Sequence, residues 1–421
     1  MRITALSKSL ILLIVLGAVG AAVYRWRRTL TGDQPSAGPT QGSQSPAHPV
    51  KGKRIVVGVN DFGGAYPGLV ANDGALPGPA SLFTKAGLDI EFRLVKGSKE
   101  RLEQFDSGQI DVMLLTLDYL ANLYPEYQAK NVDVQAFLMA DWSRGNMGLV
   151  TKPGFTTIES LKKARITTTR NTPTHYFLLT LFDRSNLKPN EIAIIKDSFV
   201  FAKKTPLAGE LFQRGEVDAV AIWEPYLSRA VSDANGRLLV STATATNLVA
   251  DVLFARTGFL DANAATMPAF LRAWFAGVRQ LREDKPGSVA KIAKAFSQTL
   301  EETAAILEKI KPATFADNRA FFGLETEVSP YATLFTEAAE IWKREGVIKE
   351  VSNPKKALRT KFLEAVAPEF ANEKVQEDFA FSAGKAKGEA LLSKSMSIYF
   401  QTGSAELDPN ARHVVDSFVE R

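Results

Sequence analysis

Short apolar runs alternate with amphipathic stretches from residue 53 to residue 365. Ile55-Val56-Val57-Gly58-Val59 reads as a buried strand, with Asn60-Asp61-Phe62-Gly63-Gly64 as the loop at its C-terminal edge. Residues 66–70 and 79–86 predict short helical pieces. Residues 90–95 alternate, Ile90, Phe92 and Leu94 against Glu91 and Arg93, which predicts a second strand. Residues 98–107 are spaced as a helix with Leu102 and Phe105 inward. Gly108-Gln109-Ile110-Asp111 turns into a strand at 112–115, which ends at Thr116-Leu117-Asp118-Tyr119. A fourth strand, 134–139, ends at Asp141-Trp142-Ser143. Strands alternating with helices predict βαβ units and a mostly parallel sheet.

The second half follows the same order. Residues 147–150 begin a crossover. A helix is predicted over 156–163, capped by Thr156 or Thr157, and a strand over 165–169. Asn171-Thr172-Pro173-Thr174-His175 opens a helix over 176–185; 192–195 predicts a strand and 207–213 a helix. Gly215-Glu216-Val217-Asp218 then turns into an apolar run, 219–222, closed by Trp223, Glu224, Pro225 and Tyr226. Such a strand end puts polar chemistry at the edge of a parallel sheet, where ligands of open α/β sheets bind. The competing arrangement packs Trp223 and Tyr226 in the core and leaves Glu224 solvated. The turn 107–112 matches 214–219, a Gly-x-x-Asp step into an apolar strand each time, so two similar lobes enclosing a cleft are expected. A strand over 249–255 returns to the first lobe. Residues 267–282, 288–296, 300–310, 331–345 and 356–365 fit helical spacing, and 376–395 is a more polar spacer.

Residues 10–24 are apolar and uncharged between Lys8 and Arg25. A run of about 15 exceeds many signal-peptide cores and falls short of the ~20 of a comfortable span. Trp26 and the arginines beside it have the character of an interfacial belt and favour an uncleaved anchor; small residues from Gly17 to Ala22 leave a cleaved signal segment open. Residues 31–49, rich in Gly, Pro, Ser and Gln, read as a disordered linker.

Charge adds little beyond this. The formal net charge is +5, but eight of the 51 basic residues and one of the 46 acidic ones lie within residues 1–54. The rest carries 43 basic against 45 acidic residues, so the folded part has no nucleic-acid footprint. The absence of cysteine excludes thiol catalysis, thiolate metal sites, disulfides and a lipoprotein attachment site. Three histidines, His48, His175 and His413, are too few and too scattered for a multi-histidine metal site, and no nucleophile elbow or Walker loop is present. No cofactor or metal is called for. The helix start at Thr172–His175 offers hydroxyls and free N–H groups, which favour anions; a simple capping role for Thr172 or Thr174 is equally open.

The two-lobe order, the Asp118-Tyr119 strand edge, the Thr172–His175 helix start with Lys188-Pro189 downstream, and above all Gly-x-Val-Asp-Ala-x-x-x-Trp-Glu-Pro-Tyr resemble periplasmic substrate-binding proteins of ABC importers. The branch in question is that of the nitrate, sulfonate, taurine and thiamine-precursor binders. The resemblance covers about residues 53–350 and implies an α/β, two-lobed type II periplasmic-binding-protein fold that closes on a small ligand. Carried over residue by residue, it implies ligand contacts at Asn60, Asp61, Phe62, Thr116, Asp118, Trp142, Ser143, Thr172, Thr174, His175, Trp223 and Glu224. The branch includes a pyrimidine synthase that depends on a cysteine-rich motif, which this chain lacks, so no enzyme activity is expected.

Ile398-Tyr399-Phe400-Gln401-Thr402-Gly403-Ser404-Ala405-Glu406-Leu407-Asp408-Pro409 resembles the start of an OmpA-like peptidoglycan-binding domain. Ile398 and Phe400 alternate as a strand. Asp408 caps a helix with an apolar face of Ala411, Val414, Val415, Phe418 and Val419. The family segment that would hold the peptidoglycan peptide is absent, so wall binding is an expectation for a longer parent only.

The expected organisation is a membrane anchor or signal segment at 1–30 and a linker at 31–52. Lobe 1 is expected at 53–150 and 247–350, lobe 2 at 151–246, a helical spacer at 351–396 and an incomplete α+β OmpA-like segment at 397–421. The expected function is a membrane-tethered periplasmic solute-binding protein for ABC-type import or sensing. Its partners would be a small ligand, an ABC permease and, through the N-terminal helix, the inner membrane. The alternative is an envelope scaffold or docking protein built on a degenerate binding-protein fold.

Overall fold

The computed structural model describes residues 53–245, 247–324 and 329–375. The expected anchor, the linker, the polar spacer over 376–395 and the OmpA-like start lie outside the described residues. Among those described, no helix is long and apolar enough to cross a membrane.

The chain opens with β1 (Ile55–Val59), helix α1 (Tyr66–Asn72), a single turn α2 (Leu82–Lys85), β2 (Ile90–Leu94), α3 (Ser98–Asp106), β3 (Val112–Thr116), α4 (Leu117–Ala129) and β4 (Val134–Ser143). It then passes to β5 (Met147–Thr151), β6 (Ile166–Thr169), α5 (Pro173–Asp183), α6 (Pro189–Asp197), β7 (Phe199–Ala202), α7 (Thr205–Gln213), β8 (Ala219–Trp223), α8 (Tyr226–Ser232) and β9 (Arg237–Ser241). The return strand β10 (Ala250–Arg256) leads to α9 (Thr257–Ala262), α10 (Met267–Glu283), α11 (Lys285–Phe296), α12 (Leu300–Leu307), β11 (Ile310–Pro312), α13 (Phe315–Phe322), α14 (Pro330–Arg344) and α15 (Lys361–Val366).

The strands make two sheets, ordered β11-β4-β10-β3-β1-β2 and β7-β6-β8-β5-β9. The expectation of a mostly parallel sheet is corrected. β1 is parallel to β2 and β3, and β6 to β7 and β8, but β10 is antiparallel to both β3 and β4, and β5 to β8 and β9. The reason is topological. β10 and β5 each arrive from the other sheet, not through a helical crossover, and enter from the opposite end; the short edge strand β11 is also antiparallel to β4.

The repeated Gly-x-x-Asp step has one physical job in both halves. Gly108 and Gly215 take left-handed φ of 79° and 73°, which glycine adopts without penalty. Asp111 Oδ2 then accepts the N–H of Val56 at 2.9 Å, and Asp218 Oδ2 that of Arg165 at 2.7 Å. Each aspartate thus ties its own strand to the start of the neighbouring one.

Several local expectations are corrected. Residues 192–195 are helical: Pro189 pre-sets the first turn, the Glu191 carboxylate accepts the Lys188 N–H at 2.8 Å, and Ile195 is buried while Ile194 is exposed. The strand lies just beyond, in β7. The stretch 156–163 forms only a 3-10 turn, Glu159–Lys163. Helix α12 stops at Leu307, and Ile310 belongs to β11. Residues 356–365 divide into a 3-10 turn, Pro354–Ala357, and α15. On α3 the inward residues are Arg101 and Phe105, with Leu102 half-buried.

Candidate functional site

The C-terminal edges of β1, β3, β6 and β8 point to one place. Asn60, Asp61 and Phe62 follow β1, Thr116 ends β3, Thr172–Thr174 follow β6, and Trp223 ends β8; together they line a cleft of about 530 Å³. The starts of α3 and α7 complete the wall, bringing Lys96, Lys203 and Thr205. Trp223 donates from Nε1 to Thr205 Oγ1 at 3.2 Å and meets the Phe62 ring edge-to-face at 6.0 Å. Phe62 belongs to the first sheet's loops and Trp223 to the second sheet, so this aromatic pair bridges the cleft.

At the start of α5 the Thr172 hydroxyl donates to the Thr169 carbonyl at 2.6 Å and does not cap the helix. Thr174, buried, receives the Thr168 hydroxyl at 2.9 Å. The first N–H groups of α5 therefore have no side-chain cap where the helix borders the cleft, an arrangement that suits an anion.

The remaining five sequence-picked residues lie away from the cleft. Asp118 is buried in the first turn of α4 with neither oxygen hydrogen-bonded, and burial pushes its carboxyl up to about 7. Trp142 packs edge-on against Phe321 at 5.4 Å and borders a separate pocket of about 330 Å³. The Ser143 hydroxyl is 2.8 Å from that of Thr242. His175 accepts the Asn171 N–H on Nδ1 at 3.2 Å among Phe199, Phe201 and Trp342; burial pushes its pKa down to about 4, so the ring is neutral. Glu224 is 3% exposed, accepts the N–H and hydroxyl of Ser228 at 3.1 and 2.8 Å, and pairs with Lys309. These five were placed by resemblance or by proximity to a strand end, and neighbouring positions on a strand or helix point to different sides.

Two charged groups in the cleft escaped the sequence reading. Arg101 is 2% exposed, donates to the Val95 carbonyl at 2.5 Å, and leaves Nε without a partner. Burial lowers its pKa to about 10, so it stays cationic at neutral pH. Asp251 faces the cleft from β10 and is 5% exposed. A signal existed for each: Arg101 precedes the inward Phe105 by one helical turn, and Asp251 is the lone acid in the apolar run 249–255. A charge on a buried face is the informative observation. Among the described residues no cluster of three or more His, Cys, Asp or Glu is disposed to hold a metal ion.

Residues 49–297, more than half of the chain, match the model of the NMT1-like family. The chain belongs to that family. A putative aliphatic sulfonates-binding protein of Escherichia coli (strain K12) is 26% identical to this NMT1-like chain over 159 residues, 38% of the chain. The chain spans 47% of the length of that curated relative. Among solved structures, a periplasmic aliphatic sulphonate binding protein from Escherichia coli superposes with a TM-score of 0.58 at 17% identity, covering 74% of this chain and 99% of that one. The alkanesulfonate-binding protein from Xanthomonas axonopodis pv. citri, bound to MOPS, gives 0.54 at 16% identity, covering 76% and 100%. A desulfurization enzyme shares the fold at 0.51 and 12% identity, covering 75% and 99%. At these identities the likeness is one of fold: this NMT1-like chain has the mixed α/β fold of periplasmic binding proteins.

Proposed function

We propose that the protein is a periplasmic solute-binding protein whose two lobes close on a small organic ligand carrying both an anionic and an amine group, for ABC-type import or sensing. The observation that carries this is the pairing of opposite charges in one cleft: Arg101 and the uncapped start of α5 suit an anion, while Asp251 suits a cation. Asp118 and Glu224, expected among the ligand contacts, lie away from the cleft, and Asp251 is the unpaired carboxyl that lines it. Phe62 and Trp223 supply apolar and aromatic surface for the ligand's body. The sulfonate-binding relatives are consistent with the anionic half. Membrane attachment through residues 1–30, delivery to an ABC permease and a cell-wall module in a longer parent are further parts of this reading.

Isothermal calorimetry of the full chain against taurine, simple alkanesulfonates, nitrate and aminopyrimidines tests it. An amine-bearing ligand is expected to bind, to be recovered chemically unchanged, and to lose at least about 2 kcal/mol of affinity in Trp223→Ala, the size of a central aromatic contact. Binding of nitrate alone contradicts the ligand assignment. Binding of nothing, with no small molecule retained in native mass spectrometry of protein purified from cells, favours the docking-protein alternative.

A further inference from the structure

Behind the cleft wall Asp251 and Asp141 are register partners on the adjacent strands β10 and β4. Asp141 is fully buried, and its oxygens have no hydrogen-bond partner other than the Asp251 carboxyl. Gly64 shows how tightly the two carboxyls are covered: a Cβ there would stand 2.8 Å from Asp141 Oδ2 and 2.9 Å from Asp251 Oδ2. Two carboxylates enclosed in this way cannot both ionise without a compensating cation. The cation at hand is Arg101, reaching in from α3 with its Nε unpartnered.

We infer that Asp251, backed by Asp141, is the residue that selects the ligand's cationic end: the free protein holds one proton between the two carboxyls, and a ligand ammonium group reaching Asp251 takes its place. This rests on the cleft being the ligand site. At the ammonium end of the ligand the charge is the same before and after, and the ligand's anionic group is met separately at the uncapped start of α5. One proton on the pair leaves a single negative charge facing Arg101. When the ammonium arrives, the proton leaves to solvent, and two carboxylates face Arg101 and the ligand cation. No bond other than O–H is broken.

The surrounding groups fit this exchange. Burial raises Asp251 to about 7 and Asp141 well above the ordinary carboxylate range, with their mutual repulsion adding to Asp141. Asp118, from the first turn of α4, is raised by burial and, to a lesser degree, by the charge of Asp251. Arg144, just after β4, acts on Asp141 in the opposite sense. In the loop after β1 of the same sheet, Asp61 is engaged by Lys96 at 3.0 Å, so it does not compete as the ammonium's partner. Tyr119 also borders the cleft and is held neutral by burial.

Two measurements on the full chain test the inference. Calorimetry at about pH 8, above the value of Asp251 so that a single proton remains on the pair, follows taurine and its amine-free analogue ethanesulfonate in buffers of differing ionisation enthalpy. Taurine is expected to release close to one proton and to gain affinity by up to about tenfold per pH unit until the pair gives up its proton unaided, levelling above that. Ethanesulfonate is expected to show neither effect. Asp251→Asn should abolish the release and the preference for taurine. Asp141→Asn should keep taurine binding but flatten its pH dependence, because Asp251 then ionises on its own beside Arg101. Taurine binding without proton release overturns the inference while leaving the solute-binding reading intact. The second measurement needs no ligand. Infrared difference spectra between about pH 6 and pH 8, recorded on an Asp118→Asn background so that Asp118 adds no signal, should show a protonated-carboxyl band that Asp141→Asn removes. If that band is absent the inference fails, whatever binds; if it is present and no probe binds, the assigned ligand class fails and this inference with it, while the solute-binding reading is decided by what native mass spectrometry retains.

Discussion

At Asp118 a buried carboxyl has neither oxygen hydrogen-bonded, while its backbone carbonyl accepts the Trp342 indole N–H at 2.9 Å. Its folded-state value, about 7 against an ordinary 3.8, means the folded protein holds the proton more tightly than the unfolded chain. The stability this contributes is complete below about 3.8 and is lost as pH rises through about 7. Each tenfold gain in proton affinity on folding corresponds to about 1.4 kcal/mol at high pH, and imperfect pairing of a replacement amide offsets part of it. Asp118→Asn, which cannot ionise, should therefore stabilise the protein by about 1–3 kcal/mol near pH 8 and by little near pH 4. Urea melts at the two pH values check this, and an equal effect at both would mean that the carboxyl does not titrate between them. His175 works in the other direction: held down to about 4 by burial, it contributes stability above 6.5 that is lost as pH falls through about 4. Of these residues the sequence made the identities plain but not the environments. Nothing local distinguishes Asp118, sealed in, from Asp61, in the loop after β1 and paired with Lys96.

At the scale of elements, α1 and α10 approach closely because two glycines remove the side chains between them. A Cβ on Gly277 would fall 2.2 Å from the Pro67 carbonyl oxygen and 2.8 Å from Ala71 Cβ, and one on Gly68 would strike Phe92 and Trp274 at about 2.5 Å. Glycine inside a helix ordinarily costs about 1 kcal/mol relative to alanine. Here the backbone carbonyl cannot yield, so sterics should win: Gly277→Ala is expected to destabilise by about 1–3 kcal/mol. Gly209 on α7 is the control. Its Cβ would have nothing nearer than Ile222 Cδ1 at 3.4 Å, so Gly209→Ala should be neutral or stabilising by up to about 1 kcal/mol. Equal destabilisation by both would refute the close-approach argument. The periodicity of these helices was legible from the sequence over 267–282, because a long amphipathic stripe is a local signal. The fate of the apolar run at 192–195 was not: so short a run suits a strand or a helix turn, and Pro189 with Glu191 decided the outcome.

For the whole molecule, the junction between the sheets carries polar ties as well as the Phe62–Trp223 contact. Lys309, just before β11 of the first sheet, reaches Glu224 and Ser228 beyond β8 of the second, and its own carbonyl accepts the Arg144 N–H at 2.8 Å. Removing the lysine leaves Glu224 buried beside only Ser228. Because the Lys309 side chain is 31% exposed, solvent screens part of the pair, and Lys309→Ala should cost about 1–2 kcal/mol, not the 3–5 of a fully buried bridge. A double-mutant cycle with Glu224→Gln measures the coupling; a value near zero would mean the tie does not hold the sheets. Farther out, Arg184–Glu337 at 3.2 Å, Lys196–Glu345 at 2.5 Å and Arg344–Asp183 at 3.0 Å join α5 and α6 to α14.

The amino-acid sequence by itself determined what depends on near neighbours. That includes the alternation of strands and helices, the repeated Gly-x-x-Asp step, and the strand edges that supply Asn60, Phe62, Thr116, Thr172 and Trp223 to one cleft. Apolar periodicity and turn chemistry act over a few residues and are visible there. Only the tertiary structure decided which charges meet. Arg101, Asp141 and Asp251 lie on α3, β4 and β10, and they converge because β10 returns from the second sheet and inserts antiparallel between β3 and β4. That insertion is set by sheet pairing over more than a hundred residues, and the same long-range packing turns Glu224 toward Lys309 and leaves Asp251 facing the cleft.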